Sequence, residues 1–396
     1  MSNTVVEAFS RIGEENAFAV LARAQQLAAG GMDVINLGIG QPDFPTPEHI
    51  VEAAIKALRD GAHGYTPATG LPETREAVVR RTLSTTGIEV PPDNVIVVPG
   101  GKVTMFASIM LFGAPGVEIM YPDPGFPIYR SMIEFTGATP VPIPIREENG
   151  FGFSAEETLD LITDRTRLVI INSPANPTGG VTPKAEFDAL VAGLDEHPHV
   201  AVMSDEIYDS MTYDGEAHTS LLAYPSIRDR LIVLNGWSKT WAMTGWRMGW
   251  GIWPDALVEP VRKLAVNAWS CVNTPSQFAG IAAIDGPQDA VGSMMEAFDA
   301  RRKLTVDAMQ AIEGVTCATP KGAFYAFPNI KATGWQAKAL ASALLEDTGV
   351  ATIGGPDFGI LGEGYIRFSY ADSEQNIVRA IERIGNFLSE NSPPVG

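Results

Sequence analysis

Leu168-Val169-Ile170-Ile171-Asn172-Ser173-Pro174-Ala175-Asn176-Pro177-Thr178-Gly179-Gly180 is the stretch that decides the fold. Its first four residues are apolar without alternation, the composition of a strand covered by helices on both faces. A polar loop rich in proline and glycine stops it, and Asn176 is kept out of the helical region by the proline that follows. Thr182 and Pro183 then read as the N-cap and first position of a helix. The same apolar runs recur on both sides, at Val95 to Val98, Val117 to Tyr121, Val200 to Met203 and Leu231 to Leu234. Val141 to Ile145 is a sixth candidate, placed at an edge or in an extended loop by its interleaved proline. Helical stripes fill the gaps, as in Ile50, Ala53, Ala54, Ala57 and Leu58. This alternation predicts an α/β unit with a largely parallel sheet over residues 49–285. From residue 286 to 396 longer helices and few strands, Ala323 to Phe327 and Tyr365 to Tyr370, predict a second, smaller unit. Its last helix carries Ile377, Ile381, Ile384 and Leu388 on one face, with Asp372 and Gln375 as a capping box.

A chain of 396 residues can bury a large core in two or three units. Its 47 acidic and 28 basic side chains give a net charge of −19, a field that repels nucleic acid and anionic lipid. No basic helix-turn-helix segment precedes residue 40, so a DNA reader is not expected. Cys271 and Cys317 belong to no CxxC pair, which excludes a disulfide framework and gives no zinc pattern. Both read as small buried hydrophobes. His197-Pro198-His199 has no carboxylate or cysteine partner at suitable spacing, so it reads as a surface turn and no metal site is expected. Without a secretory pattern or a run of about 20 apolar residues, the expectation is a cytoplasmic protein with no membrane contact.

In open α/β sheets ligands bind beyond the carboxyl ends of the strands, so the residues following each run carry the chemistry. After Val98 comes Pro99-Gly100-Gly101-Lys102, a glycine turn into a helix N-terminus, which suits a phosphate. After Met203 comes Ser204-Asp205-Glu206-Ile207-Tyr208, where Asp205 is either a helix cap or a functional carboxylate. After Leu234 comes Asn235-Gly236-Trp237-Ser238-Lys239-Thr240. A lysine among apolar and aromatic neighbours is desolvated, and a desolvated lysine is a nucleophilic amine able to form a Schiff base. Arg247, eight residues on, supplies a cation beside it and a grip for phosphate.

With these residues the chain resembles the class I aminotransferases dependent on pyridoxal 5′-phosphate, of the aspartate aminotransferase fold. The motifs are Asn176-Pro177-Thr178-Gly179, Asp205-Glu206-Ile207-Tyr208, Ser238-Lys239 with Arg247, and Arg367 in Ile366-Arg367-Phe368-Ser369-Tyr370. Their order and separations of 29, 34, 8 and 120 residues make coincidence remote. The resemblance implies a three-layer α/β/α large domain around a mostly parallel seven-stranded sheet. It also implies a smaller α+β domain built from an N-terminal arm, residues 1–48, and the C-terminal third.

By the same resemblance, Lys239 holds the cofactor as a Schiff base and shuttles the substrate proton, while Asp205 pairs with the pyridine nitrogen. Tyr208 and Asn176 bond the ring 3′-oxygen, and Phe126 stacks on the ring unless it is an ordinary core phenylalanine. The amides of Gly101 and Lys102, with Ser238 and Arg247, hold the phosphate. Tyr65 reaches it from the neighbouring subunit, which implies a homodimer with shared active sites. Arg367 binds the substrate α-carboxylate, and Gly40 lies in the segment closing over the substrate. The implied activity is amino transfer from an L-amino acid to a 2-oxo acid by a ping-pong route, with a C–S β-lyase as the alternative. Two departures stand out: Gly236 replaces a phosphate-binding serine of many members, and Val266 to Cys271 contain no arginine for a distal carboxylate. Trp241, Phe18 and Ile39 are expected to form an apolar pocket.

Overall fold

The computed structural model describes residues 5–13 and 15–393. Among these the strands are β1 (Ile35–Asn36), β2 (Val95–Val98), β3 (Glu118–Asp123), β4 (Thr139–Pro144), β5 (Thr166–Asn172), β6 (Ala201–Asp205), β7 (Leu231–Gly236), β8 (Gly249–Ile252), β9 (Tyr325–Ala326), β10 (Val350–Ala351), β11 (Ile353–Gly354) and β12 (Ile366–Ser369). Seven of them form one sheet in the order β2-β8-β7-β6-β5-β3-β4. The five apolar runs supply five of its strands, with Val117 and Val200 one residue ahead of β3 and β6, and β4 with its prolines pairs only with β3 at the edge. An edge strand tolerates proline because one side of its ladder needs no donor.

The seventh strand, β8, was not visible in the sequence. It runs antiparallel to both β2 and β7, the only departure from parallel pairing in this sheet. The chain returns to the sheet about a dozen residues after β7 with no crossover α-helix between, and without one the strand joins antiparallel. Its glycines hide it from hydrophobic pattern, yet close packing demands them. A Cβ on Gly249 would lie 2.2 Å from the amide nitrogen of Gly101, and one on Gly251 2.4 Å from Trp253 Nε1. β8 is thus the backing on which the glycine turn after β2 rests.

Helices cover both faces, and the apolar residues of the strands alternate between two clusters. Val97, Val169, Val202 and Val233 join one; Ile96, Leu168, Met203 and Ile232 join the other. A third cluster ties Ile35 and Leu37, near the amino terminus, to Phe298, Phe324, Ile366 and Ile377. The pairing β1–β10 and the sheet β11-β12-β9 belong to this α+β part, so the amino-terminal segment packs with the C-terminal third.

Three local expectations are corrected. The helix after the polar loop starts at Lys184 with extended Pro183 as N-cap, so Thr182 lies one residue too early. Leu58 of the Glu48–Arg59 helix is exposed, and Ile50, Ala54 and Ala57 alone are buried there. The last helix, Glu374–Glu390, is capped by Ser373, which accepts from the Asn376 N–H at 3.2 Å; Asp372 instead receives the Ser373 N–H. Phe387 is buried on that helix while Leu388 is half-buried. No helix of the described residues is long and apolar enough to cross a membrane.

Candidate active site

The carboxyl ends of β5, β6 and β7 and the turn after β2 open into a cavity of about 520 Å³. Gly40, Gly101, Lys102, Phe126, Asn176, Asp205, Tyr208, Ser238, Lys239, Arg247 and Arg367 all line it. Tyr65, expected to act in the neighbouring subunit's site, does not; it is 93% exposed.

Lys239 donates from Nζ to the Gly40 carbonyl at 2.5 Å and lies 5.6 Å from the Phe324 ring centre. Burial first, then the nearby Arg367 guanidinium, lowers its pKa from 10.5 to about 8. Both causes disfavour the charged amine. Asp205, at the end of β6, accepts from Tyr129 Oη at 2.6 Å and from the Ile207 N–H at 3.2 Å. Burial raises its pKa from 3.8 to about 6 despite these bonds. Among the described residues no cation forms an ion pair with this carboxylate. Tyr208 Oη and Tyr325 Oη are 2.8 Å apart, and burial holds the Tyr208 phenol well above its ordinary pKa.

Arg367 projects from β12, 3% exposed. It donates to Asn176 Oδ1 at 2.9 Å and to the Gly38 carbonyl at 2.6 Å, while its buried Nε has no partner among the described residues. Its guanidinium lies over the rings of Tyr325 and Phe358, at 4.8 and 4.6 Å. Asn172 joins the two loops beneath: its Oδ1 accepts the Asn176 N–H at 3.0 Å and its Nδ2 donates to the Asp205 carbonyl at 3.1 Å.

On the opposite wall Gly101 caps the helix Lys102–Phe112. Arg247 sits at φ +55, unusual for a residue with a Cβ, and donates to the Thr244 carbonyl at 2.7 Å. Gly100 has φ +94, and a Cβ there would lie 2.2 Å from Arg247 Nη2. Glycine thus lets this arginine stand directly against the turn. Gly236 is also explained, since a Cβ would meet the Met248 carbonyl and Gly249 Cα at 3.1 Å, leaving a serine crowded against β8.

Sequence reasoning missed Glu15, Tyr129, Asn172 and Tyr325, which line the cavity too. Tyr129 follows Phe126 by three residues and packs edge-on against it at 5.7 Å, so helical spacing could have found it. Glu15 carries no motif; its Oε2 pairs with Lys102 Nζ at 2.9 Å across the cavity mouth. Phe18 and Ile39 line the cavity as expected, but Trp241 does not: it is buried elsewhere and donates to Gln288 at 2.9 Å. His197 and His199 lie at a turn, and the described residues contain no metal-binding cluster. Cys317 is buried as expected, whereas Cys271 is only half-buried.

A desolvated lysine, a buried carboxylate with no cation beside it among the described residues, and an arginine at a glycine turn, delivered by one mostly parallel sheet, are groups able to form a Schiff base and to receive a phosphorylated, cationic cofactor. Comparison with known proteins carries this further. The family profile described as Aminotransferase class I and II matches residues 32–384. A protein of Streptomyces avermitilis named aspartate aminotransferase is 39% identical over 96% of this chain and 95% of its own length. The crystal structure of the aspartate aminotransferase from Rhizobium meliloti superposes with TM-score 0.92 at 34% identity, covering 98% of this chain and 99% of that one. An alanine aminotransferase from Pyrococcus furiosus gives TM-score 0.91 at 32% identity over 98% and 100% of the two chains. The chain belongs to the class I and II aminotransferases, and the protein is a transaminase dependent on pyridoxal 5′-phosphate. Its substrates are an amino acid and a 2-oxo acid, and the β-lyase alternative is not favoured. The residues present fit the cofactor: Asp205 is buried with no cation beside it among the described residues, Lys239 is held partly neutral, and Gly100 lets the Arg247 guanidinium stand against the turn whose amides would face a phosphate.

Proposed function

We propose that amino transfer is carried out by Lys239, Asp205, Tyr208, Asn176 and Arg367 as one constellation, in a cytoplasmic homodimer. The observation that carries this reading is the meeting in one cavity of a depressed lysine, a buried carboxylate with no ion-pair partner among the described residues, and a buried arginine whose Nε finds no partner among them. When bound, pyridoxal phosphate supplies an electron sink for the charge left on the substrate α-carbon. Asp205 would hold its ring nitrogen, Tyr208 and Asn176 its ring oxygen, and Phe126 its face. The N–H groups of Gly101 and Lys102, with Ser238 and Arg247, would hold its phosphate. Lys239, neutral above about pH 8, binds the cofactor and then takes and returns the α-proton at Nζ. Arg367 takes the α-carboxylate, a match of planar fork to planar acceptor, and Gly40 closes over the bound substrate.

The chain divides into an arm at 1–48, a cofactor-binding domain at 49–285 and a small domain at 286–396. Tyr65 completes the phosphate site of the partner subunit, which accords with its exposure here. The donor we propose to test first is L-aspartate, on the strength of the relatives' names. Lys102 is the cavity cation left for a distal carboxylate, and Glu15 is paired with it.

The test is the visible spectrum of the purified protein as amino acids are added one at a time. A yellow band bleached by one donor, with recovery on adding 2-oxoglutarate, is the expected result. Pyruvate and ammonia from cystathionine without amino transfer, or no yellow band after reconstitution, would refute the reading.

A further inference from the structure

Asp123, at the end of β3, is fully buried. Its Oδ1 accepts the Leu361 N–H at 3.1 Å and its Oδ2 the Ile360 N–H at 3.2 Å. Close by, the Gly125 N–H donates to the Phe358 carbonyl at 2.8 Å. Gly359 has φ +137, and a Cβ on it would lie 2.1 Å from Asp123 Oδ1, so this approach is open to glycine alone. Ile360 and Leu361 are 68% and 42% exposed, so their side chains contribute little burial to hold the segment in place. At Ile360 and Leu361 the fastening comes from Asp123, beside the Gly125–Phe358 backbone bond, and burying a carboxylate on two backbone donors is a costly way merely to close a loop.

What the fastening joins suggests its use. On one side the turn after Asp123 leads to Phe126, on the cavity wall, and to Tyr129, which donates to Asp205. On the other, the buried ring of Phe358 lies 4.6 Å from the Arg367 guanidinium. We propose that Asp123 is a positioning residue for substrate recognition: by tying Phe358–Leu361 to the turn that carries Phe126, it holds the Phe358 ring against Arg367 and fixes the guanidinium in the cavity. This rests on the reading of Arg367 as the α-carboxylate site.

The holoenzyme is assayed with whichever of L-aspartate, L-alanine and L-phenylalanine is the fastest donor, at saturating 2-oxoglutarate. Asp123→Asn turns one acceptor into a donor facing an N–H. Phe358→Leu removes the ring and leaves the backbone bonds. Each is expected to raise the donor KM about tenfold with kcat within about twofold, since ground-state and transition-state binding fall together. The double variant should be no worse than the poorer single one, because both act on one contact. If Asp123→Asn yields no folded holoenzyme, Asp123→Ser, which keeps a single acceptor, is measured in its place. Arg367→Lys is the reference: if it leaves KM unchanged, the reading of Arg367 fails. If Arg367→Lys raises KM while the Asp123 variant alters only the unfolding temperature, or if the two effects multiply in the double variant, the inference about Asp123 is overturned.

Discussion

At the scale of single residues, the cavity joins groups whose ordinary ionisation burial opposes. Lys239 has its pKa lowered from 10.5 to about 8, so at neutral pH the fold carries a buried ammonium at a cost. That cost is fully present below about pH 8 and fades as pH rises toward 10.5, because in that window the folded state has already lost the proton that the unfolded state still binds. Lys239→Met in the cofactor-free protein should therefore raise the unfolding temperature at pH 7 and lose this advantage near pH 10, and it should abolish turnover. Calorimetry at the two pH values checks the sign. Asp205→Asn removes one partner of the ion pair proposed with the cofactor, a change of about 3 to 5 kcal/mol for a buried pair. Cofactor retention on dialysis should fall by at least about a hundredfold, read from absorbance. Glu15→Gln frees Lys102 from its carboxylate, and kcat/KM for L-aspartate should rise relative to L-alanine. An unchanged ratio would remove the Glu15–Lys102 pair from the account of specificity.

At the scale of elements, β8 shows how a strand with weak pattern can govern a site. Gly249 admits the Gly100–Gly101 turn, so backbone packs on backbone, while Gly251 makes room for the Trp253 and Thr104 side chains. Gly249→Ala places a methyl 2.2 Å from the Gly101 nitrogen, and such overpacking costs about 1 to 3 kcal/mol. Urea unfolding should show that loss. Titration with pyridoxal phosphate should show weaker binding as well, since the displaced turn is the proposed phosphate cradle. A stability loss with unchanged cofactor affinity would separate the strand from the cradle.

At the scale of the whole molecule, the proposed dimer predicts a sedimentation mass of twice the 42.3 kDa chain. Mixing Tyr65→Ala with Lys239→Ala protein should yield activity above either parent, because one site of the hybrid keeps both residues. The sequence by itself determined the alternating apolar runs, and with them the sheet, its orientation and the strand ends where Asn176, Asp205 and Lys239 sit. Local pattern suffices there because a doubly covered strand must be continuously apolar and a loop must follow it. It also pointed to Gly101, Ser238, Arg247 and Arg367 through their family order. It did not reveal β8, whose glycines answer to a neighbouring turn and to the Trp253 side chain, nor Glu15, Tyr129 and Tyr325, nor the removal of Trp241 to a different core. Those were decided by tertiary structure, since each depends on a contact between residues far apart in the chain, such as Tyr129 with Asp205 or Glu15 with Lys102. Periodicity records which face of an element is buried, whereas the partner it meets depends on how the elements are assembled.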